Sequence, residues 1–371
     1  MKELKIFVDC HVFDKGFQGT RTYIQGLYLE LIKDNTKHFI FAANDIENLK
    51  SIFGNQKNVS YSKYYFKNSI VRLLIEIPYL IKKHKANFAH FQYRVAPLKL
   101  CKYIVTTHDV LFQDYPEYFP KLNRIQSYLT YKFSANIADI VFTVSEYSKE
   151  RIEKHLDVKK TTVMPNGVDA SFYKEYNKKE IQTQIENEFG VSNYLLCVSR
   201  WEPRKNQHLL LKLFINLNLF KNYFLVFIGD TTFTNEAFVT IYKDSSEKVK
   251  SKIVFLEKVE FETFQNLIRG AELSIYPSIA EGFGIPPLES IAAGTTSITS
   301  NATAMSDFDF LIDYSFDPRN EQQFERILLK AIQEKTMPFD ALKKTIKQKY
   351  NWSLSAAIYK DTINTFIDSL R

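Results

Sequence analysis

At 371 residues the chain has room for two domains of ordinary size, each with its own core. Its 45% hydrophobic and 25% charged content excludes a disordered or fibrous chain, and its longest apolar stretch, Ile70 to Ile81, is interrupted by Arg72, Glu76 and Pro78 and is too short to span a bilayer. The net charge of +7 is lopsided: residues 1–170 hold 25 Lys+Arg against 17 Asp+Glu, the remainder 24 against 25, so the first half either meets an anionic partner or carries a solvated basic surface. No helix-turn-helix, zinc or RNA-recognition pattern accompanies that charge, which argues against nucleic acid. Cys10, Cys101 and Cys197 lie far apart in strand-like runs without metal spacing, and read as buried free thiols of a reducing compartment. With LKIFVDC at its opening and no signal-peptide pattern, the chain is expected to be cytoplasmic.

In chain order the candidate strands are LKIFVD, HFIFAA, FAHFQ, YIVTTHD and IVFTVS, then YLLCVS, FLVFIG, KIVFL, LSIYPS and TSITS. Helical patterns lie between them, for example Arg21 to Leu31, Leu122 to Ala135 and Phe261 to Arg269. This βαβα rhythm, run through twice, predicts an α/β protein of two doubly wound, Rossmann-like domains with parallel sheets. The polar stretch from Pro165-Asn166-Gly167-Val168-Asp169 to Glu188 is expected to be the hinge, which divides the chain into 1–168 and 169–352. Residues 353–371 are expected to form a terminal helix that packs back on the first domain. Ligands of open parallel sheets sit outside the carboxyl ends of the strands, so two such sheets facing across a cleft would gather function in the loops that follow strands.

Motifs fall in those loops. Asp14 to Arg21 (DKGFQGTR) links the first strand to the first helix, and its Gly16 and Gly19 would allow close approach of a phosphate or acceptor, with Thr20 and Arg21 beside them. Tyr61 to Lys85 interleaves aromatics with Lys and Arg; it suits an amphipathic helix on an anionic membrane surface and equally a core helix with snorkelling lysines. His108, in Thr106-Thr107-His108-Asp109-Val110, can donate to a sugar hydroxyl or relay a proton. Phe142 to Ser148 (FTVSEYS) suggests a helix cap. In Ser199 to Asn206 (SRWEPRKN), Arg200, Arg204 and Lys205 offer two bidentate forks and a point charge to a diphosphate.

Residues 272–300, ELSIYPSIAEGFGIPPLESIAAGTTSITS, carry the most. A strand from Leu273 to Tyr276 ends at Pro277, and Glu281-Gly282-Phe283-Gly284 form a turn. Pro286-Pro287 open a helix from Leu288 to Ala293 that Gly294 closes. Helix-start amides make an anion site, Gly282 and Gly284 admit a ligand closely, and Glu281 and Glu289, the latter in the first helical turn, would accept hydrogen bonds from neutral hydroxyls. Phosphate plus two sets of hydroxyls describes a sugar nucleotide.

From Ser278 to Gly294 the string resembles the E-x7-E signature of retaining glycosyltransferases with the GT-B fold, family 4, and SRWEPRKN resembles that family's diphosphate motif. THDVLFQDYPEYFP resembles its H-D…P-E loop and FTVSEYS its V-S-x-x-S segment. The resemblance runs from the first strand to Asn351-Trp352, nearest to mannosyltransferase-like members of bacterial surface-polysaccharide biosynthesis. It implies a retaining, metal-independent hexosyltransferase without a cofactor, whose donor is a nucleotide sugar, GDP-mannose foremost and a UDP-sugar next. Arg200 and Lys205 would grip the leaving diphosphate with Arg204 nearby. Glu281 and the turn Gly282, Phe283, Gly284 and Ile285 would hold the sugar, Glu289 the ribose diol, and His108 the sugar from the other domain. Gly16, Gly19, Thr20 and Arg21 would face a glycan or polyprenyl-diphosphate-linked acceptor, with the basic first domain suited to the inner face of the membrane. A sugar-nucleotide epimerase of the same fold and a non-catalytic partner subunit remain the alternatives.

Overall fold

Ten apolar, β-branched or aromatic runs become strands of parallel sheets; central ones such as Phe88–Gln92 and Leu273–Tyr276 are buried on both faces, whereas Ile253–Leu256 at an edge leaves Phe255 exposed. The computed structural model describes residues 3–14, 19–230, 235–334 and 336–371. They divide into two units: the chain up to Gly167 together with Tyr350–Arg371, and Val168–Lys349.

The first unit holds β1 (Leu4–Asp9), β2 (Lys37–Ala43), β3 (Val59–Lys63), β4 (Phe88–Gln92), β5 (Lys102–Thr106), β6 (Ile140–Thr143) and β7 (Thr162–Val163). All pair in parallel in the order β3-β2-β1-β4-β5-β6-β7. The strand expected through Asp109 stops at Thr106, which frees Thr107 to Asp109 for the loop, and the strand expected through Ser145 stops at Thr143. On one face, Phe7, Ile40, Phe91 and Val105 share a core with Ile77, Leu80, Ile81 and Ala135 of the covering helices. On the other lie the helices Gly19–Leu31 and Trp352–Asp368.

Tyr350, Asn351 and Trp352, expected to close the second domain, stand with the first. The cause is Trp352: a Cβ on Gly26 would fall 2.1 Å from its indole, and one on Gly167 2.4 Å from its backbone nitrogen. Only glycine leaves the ring that room. Tyr61 to Lys85 is not one helix either; Tyr61 to Lys63 finish β3, and helical structure begins at Ser69.

The second unit holds β8 (Tyr194–Val198), β9 (Phe224–Ile228), β10 (Ile253–Leu256), β11 (Leu273–Tyr276), β12 (Ser297–Ser300) and β13 (Ser315–Phe316), all parallel, in the order β10-β9-β8-β11-β12-β13. The polar stretch that ends at Glu188 supplies its helix Lys178–Phe189, capped by Asn177 and closed by left-handed Gly190.

Strand order reverses between β1 and β4 in the first unit and between β8 and β11 in the second. In doubly wound sheets the crevice at such a reversal is where ligands bind. Among the described residues no helix is long and apolar enough to cross a membrane.

Candidate active site

In the second unit, β8 leads into Ser199–Glu202, a 3-10 turn Pro203–Lys205, and left-handed Asn206 ahead of the helix Gln207–Asn216. Four contacts fix this loop. Asn206 Nδ2 donates to the carbonyls of Pro277 (3.2 Å) and Pro318 (2.9 Å), and Gln207 Nε2 donates to Ser199 Oγ (2.9 Å) and the Arg200 carbonyl (2.8 Å). Trp201 anchors it from below between Phe227 and Phe238, ring centroids 5.3 and 4.7 Å away. The loop after β11 is bound to it, since Ile279 N–H donates to the Arg204 carbonyl (2.7 Å) and Arg204 Nη1 to the Ala280 carbonyl (2.5 Å).

The five charged side chains brought together form an alternating chain. Arg200 Nη2 lies 2.8 Å from Glu202 Oε1, and Glu202 Oε2 lies 2.6 Å from Arg204 Nη2. Arg204 Nη1 reaches Glu281 Oε2 at 3.4 Å, and Glu281 Oε1 lies 2.5 Å from Lys205 Nζ. Burial opposes ionisation of Glu281, but Lys205 and Arg204 outweigh it and hold its carboxyl down to about 2. Burial and Arg204 lower the Lys205 ammonium, with Glu281 pulling the other way. With three cations against two carboxylates the cluster keeps a net positive charge.

Arg204, expected among the donor-binding groups, is 9% exposed and spends its guanidinium on Glu202, Glu281 and Ala280; it clamps the two loops. Arg200 is 53% exposed. Lys205, expected to grip phosphate, lies on Glu281.

Glu281 N–H donates to Thr303 Oγ1 (2.9 Å), and Thr303 itself is left-handed at φ 54°. Gly284 has φ 90°, and a Cβ there would meet Met305 Cγ at 2.6 Å, so glycine is required twice over. The helix begins at Ile285, not Leu288, because both prolines fit where helical N–H groups have no partner. Pro286 and Pro287 lack two of the start amides expected to form the anion site, which leaves those of Ile285 and Leu288. Glu289 lies beyond the first turn. Phe283 packs edge-on against Phe308 at 5.8 Å.

Glu289 is buried, and burial followed by the nearby Asp169 raises its carboxyl to about 8. It is therefore neutral at pH 7, able to donate one hydrogen bond as well as accept. Asp169, which falls in the expected hinge, caps the turn Ala170–Tyr173, with Oδ1 accepting from Ser171 N–H at 2.8 Å. Glu202, Asp169 and Thr303 are the residues that sequence reasoning passed over here. Only Glu202 had a signal, its place inside the SRWEPRKN motif.

In the first unit, His108 follows β5 and is buried. Its Nε2 lies 2.7 Å from Gln92 Oε1, at the end of β4. Burial lowers the imidazole to about 3, so the ring is neutral, and because an amide oxygen only accepts, Nε2 carries the proton. Nδ1 is then an acceptor of hydrogen bonds, while the donor nitrogen Nε2 already faces Gln92. Gln92 Nε2 lies 3.5 Å from His90 Nε2, which lies 2.9 Å from Thr106 Oγ1; His90 Nδ1 lies 2.6 Å from Tyr28 OH. Tyr23 OH completes the network on Thr106 Oγ1 at 2.9 Å.

Arg21 sits over the Phe13 ring at 5.2 Å and donates to Asn48 Oδ1 at 3.4 Å, with Thr20 beside it in the first turn of Gly19–Leu31. A Cβ on Gly19 would meet nothing within 4 Å, so space does not demand glycine there. Gly16 lies outside the described residues. Ser145 caps the helix Glu146–Leu156 through Ser148 N–H at 3.1 Å.

Comparison with known proteins decides the family. The model for Glycosyltransferase Family 4 matches residues 17–172, and that for Glycosyl transferases group 1 matches residues 178–352. The chain belongs to these glycosyltransferases. O-antigen chain mannosyltransferase RfbU of Salmonella typhimurium is 30% identical over 200 residues, 53% of this chain and 51% of that protein. Serotype-specific mannosyltransferase WbdA of Escherichia coli is 23% identical over 226 residues, 59% of this chain and 28% of that one. The chain thus spans about half the length of the first relative and less of the second. Sucrose-phosphate synthase from Thermosynechococcus elongatus has the same fold, with a TM-score of 0.79 at 14% identity across 99% of this chain and 100% of that one. In the family's terms, the string Ser278–Gly294 and the loop Ser199–Asn206 belong to the group 1 half, and His108 to the family 4 half.

Proposed function

We propose that this glycosyltransferase moves a hexose from a nucleotide sugar to a hydroxyl of a glycan or polyprenyl-diphosphate-linked glycan acceptor, with retention and without a metal ion. The carrying observation is the cluster Arg200, Arg204 and Lys205 around Glu281 at the β8/β11 reversal. A largely sheltered cluster with surplus positive charge and one exposed cation complements a diphosphate that gains charge as it leaves, and preorganised cations of this kind act where charge develops. Arg200, the exposed member, meets the diphosphate. Lys205 shares its ammonium between Glu281 and phosphate, so Glu281 is turned toward the sugar as an ionised acceptor. Neutral Glu289 holds the ribose diol by donating as well as accepting.

In the reaction, the bond between the anomeric carbon and the diphosphate oxygen breaks while the acceptor oxygen bonds to that carbon from the same face. The acceptor proton passes to the departing phosphate oxygen, and the products are the glycoside and a nucleoside diphosphate. His108 Nδ1 accepts from a sugar hydroxyl. GDP-mannose leads as donor because the two relatives named above are mannosyltransferases, and a UDP-sugar follows.

The test is transfer from a panel of GDP- and UDP-sugars to lipid-linked glycan acceptors, in EDTA, with the product anomer read by NMR. Retained configuration and full turnover in EDTA are expected. Inversion or a strict metal requirement would overturn those parts, and release of an altered sugar without acceptor would turn the reading to an epimerase.

A further inference from the structure

One face of the first unit carries its apolar side chains outward. The helical run 69–84, made of Ser69–Val71, a π turn Arg72–Glu76 and Ile77–His84, turns Ile77, Leu80 and Ile81 into the core. Outward it leaves Ile70, Leu74, Ile75 and Tyr79 all more than half exposed. The π turn adds a residue to the helix there, and both Leu74 and Ile75 stay outside. The helix Lys121–Ile137 packs on the same core through Ala135 and turns Leu122, Ile125, Leu129 and Phe133 outward. Spacings of three, four and four place these on one stripe. Both helices cover the same side of the sheet, since their inward residues share one cluster with Phe7, Phe91 and Val105.

Ahead of the first helix, Tyr65 and Phe66 are 79% and 49% exposed. They are held out rather than left loose: the buried Glu76 carboxylate accepts from Tyr65 N–H at 2.6 Å and from Phe66 N–H at 3.4 Å.

Charge names the occupant. From Asn48 to His108 the one carboxylate is Glu76, against eleven Lys and Arg, and from Tyr118 to Ala138 there is none, against Lys121, Arg124 and Lys132. Lys63, Lys67, Lys82, Lys83 and Lys85 are exposed. A surface of apolar stripes rimmed by cations, whose nearby exposed carboxylates (Glu117 ahead of the second helix, Glu146 and Glu150 on the helix beside it) lie outside both stretches, matches an anionic bilayer: the stripes enter the headgroup boundary and the lysines reach back to phosphate.

We propose that this face of the first unit adsorbs to an anionic lipid surface through both helices and the Tyr65-Phe66 wedge. Its use, to meet a lipid-linked acceptor, rests on the glycosyl-transfer reading; the adsorption does not. The test is co-sedimentation of the full chain with phosphatidylcholine vesicles, with and without phosphatidylglycerol, at low and high salt. The variants are I70S/L74S on one helix and I125S/L129S on the other, each with a thermal melt equal to the parent's. Adsorption to the anionic vesicles is expected, weakened at least ~10-fold by removing phosphatidylglycerol and by either pair, and weakened by salt. No adsorption to anionic vesicles, or variants that bind as well as the parent, would overturn it. So would a dimer in sedimentation that the same pairs abolish while vesicles are ignored. Transfer to a water-soluble acceptor keeps the two readings apart: the surface variants retain it, and adsorption without any transfer by the parent would sink the enzymatic reading alone.

Discussion

Beside the β8/β11 reversal of the second unit stand five charged side chains in a continuous chain of ion pairs, Arg200, Glu202, Arg204, Glu281 and Lys205. At the ends of β4 and β5 in the first stand His90, Gln92, Thr106 and His108, joined by hydrogen bonds and neutral, both imidazoles lowered to about 3. The sheets have equivalent orders through their central strands, but the neutral network stands one strand beyond the β1/β4 reversal, on β4 and β5, and the side chains choose the chemistry at each place. Fixed cations with part of their charge offset suit a group whose charge grows during reaction. A buried network of neutral donors and acceptors suits hydroxyls, because it discriminates through satisfied hydrogen bonds.

The largest effect that would break this contrast is loss of the exposed cation. Arg200→Ala should lower kcat by ~10²–10³-fold. Its melting temperature should stay near the parent's, since an exposed ion pair contributes little. Lys205→Ala should lose comparable activity and also destabilise the fold by ~2 kcal/mol, because it strips the half-buried Glu281 of a partner. Near-normal turnover in Arg200→Ala, with kinetics and a melt on the same sample, would remove the cluster from the reaction.

How much of this could be read from residues alone differs between the two units and between centre and edge. Central strands such as FAHFQ, FLVFI and LSIY announce themselves because both faces are buried. β3 (VSYSK), β7 and β13 do not, being an edge strand with exposed polar positions and two strands of two residues. The cations of SRWEPRKN are legible by type. Their directions are not: a 3-10 turn and the left-handed Asn206 send Arg204 inward and leave Arg200 outside. Asp169 beside Glu289 joins residues far apart in the chain, and no local pattern signals that. Gln92 was nearer to hand, since parallel pairing of β4 with β5 sets it opposite Thr106, two residues before His108.

The two glutamates of the second unit sharpen the contrast through pH. Glu281 is lowered on folding, so its contribution is present above the unfolded value near 4.5 and is lost as pH falls toward about 2. Glu281→Gln should flatten that acid limb, by an amount on the order of 2 kcal/mol. Glu289 is raised, so its contribution is full below about 4.5 and is lost as pH climbs through about 8. Denaturant titrations from pH 5 to 9 should show the parent losing on the order of 2 kcal/mol relative to Glu289→Gln across that window. On the proposed assignment of Glu289 to the ribose diol, nucleotide-sugar affinity of the parent should fall above pH 8, when that carboxyl becomes anionic near Asp169. Parallel stability curves for parent and Glu289→Gln would show that the carboxyl is already ionised at neutral pH.

The smallest effect tests the neutral side. Gln92 touches no reacting atom in this reading; it is a positioning residue that fixes which nitrogen of His108 bears the proton. Gln92→Leu leaves a buried N–H without its acceptor and should cost about tenfold in kcat/KM. A packing defect would produce the same loss, so the informative variant is Gln92→Glu. A carboxylate at that position still accepts from Nε2, and it also stabilises the imidazolium, lifting His108 from about 3 toward the range where activity is measured. The parent and Gln92→Leu should then show no His108 inflection between pH 5 and 8, whereas Gln92→Glu should acquire one, with activity falling on the acid side as Nδ1 is protonated and ceases to accept. That single change would carry the charged electrostatics of the second unit into the first. A parent profile that already shows the inflection, and loses it in His108→Asn, would mean the first unit works with a titrating histidine, and the division between a charged and a neutral site would fail.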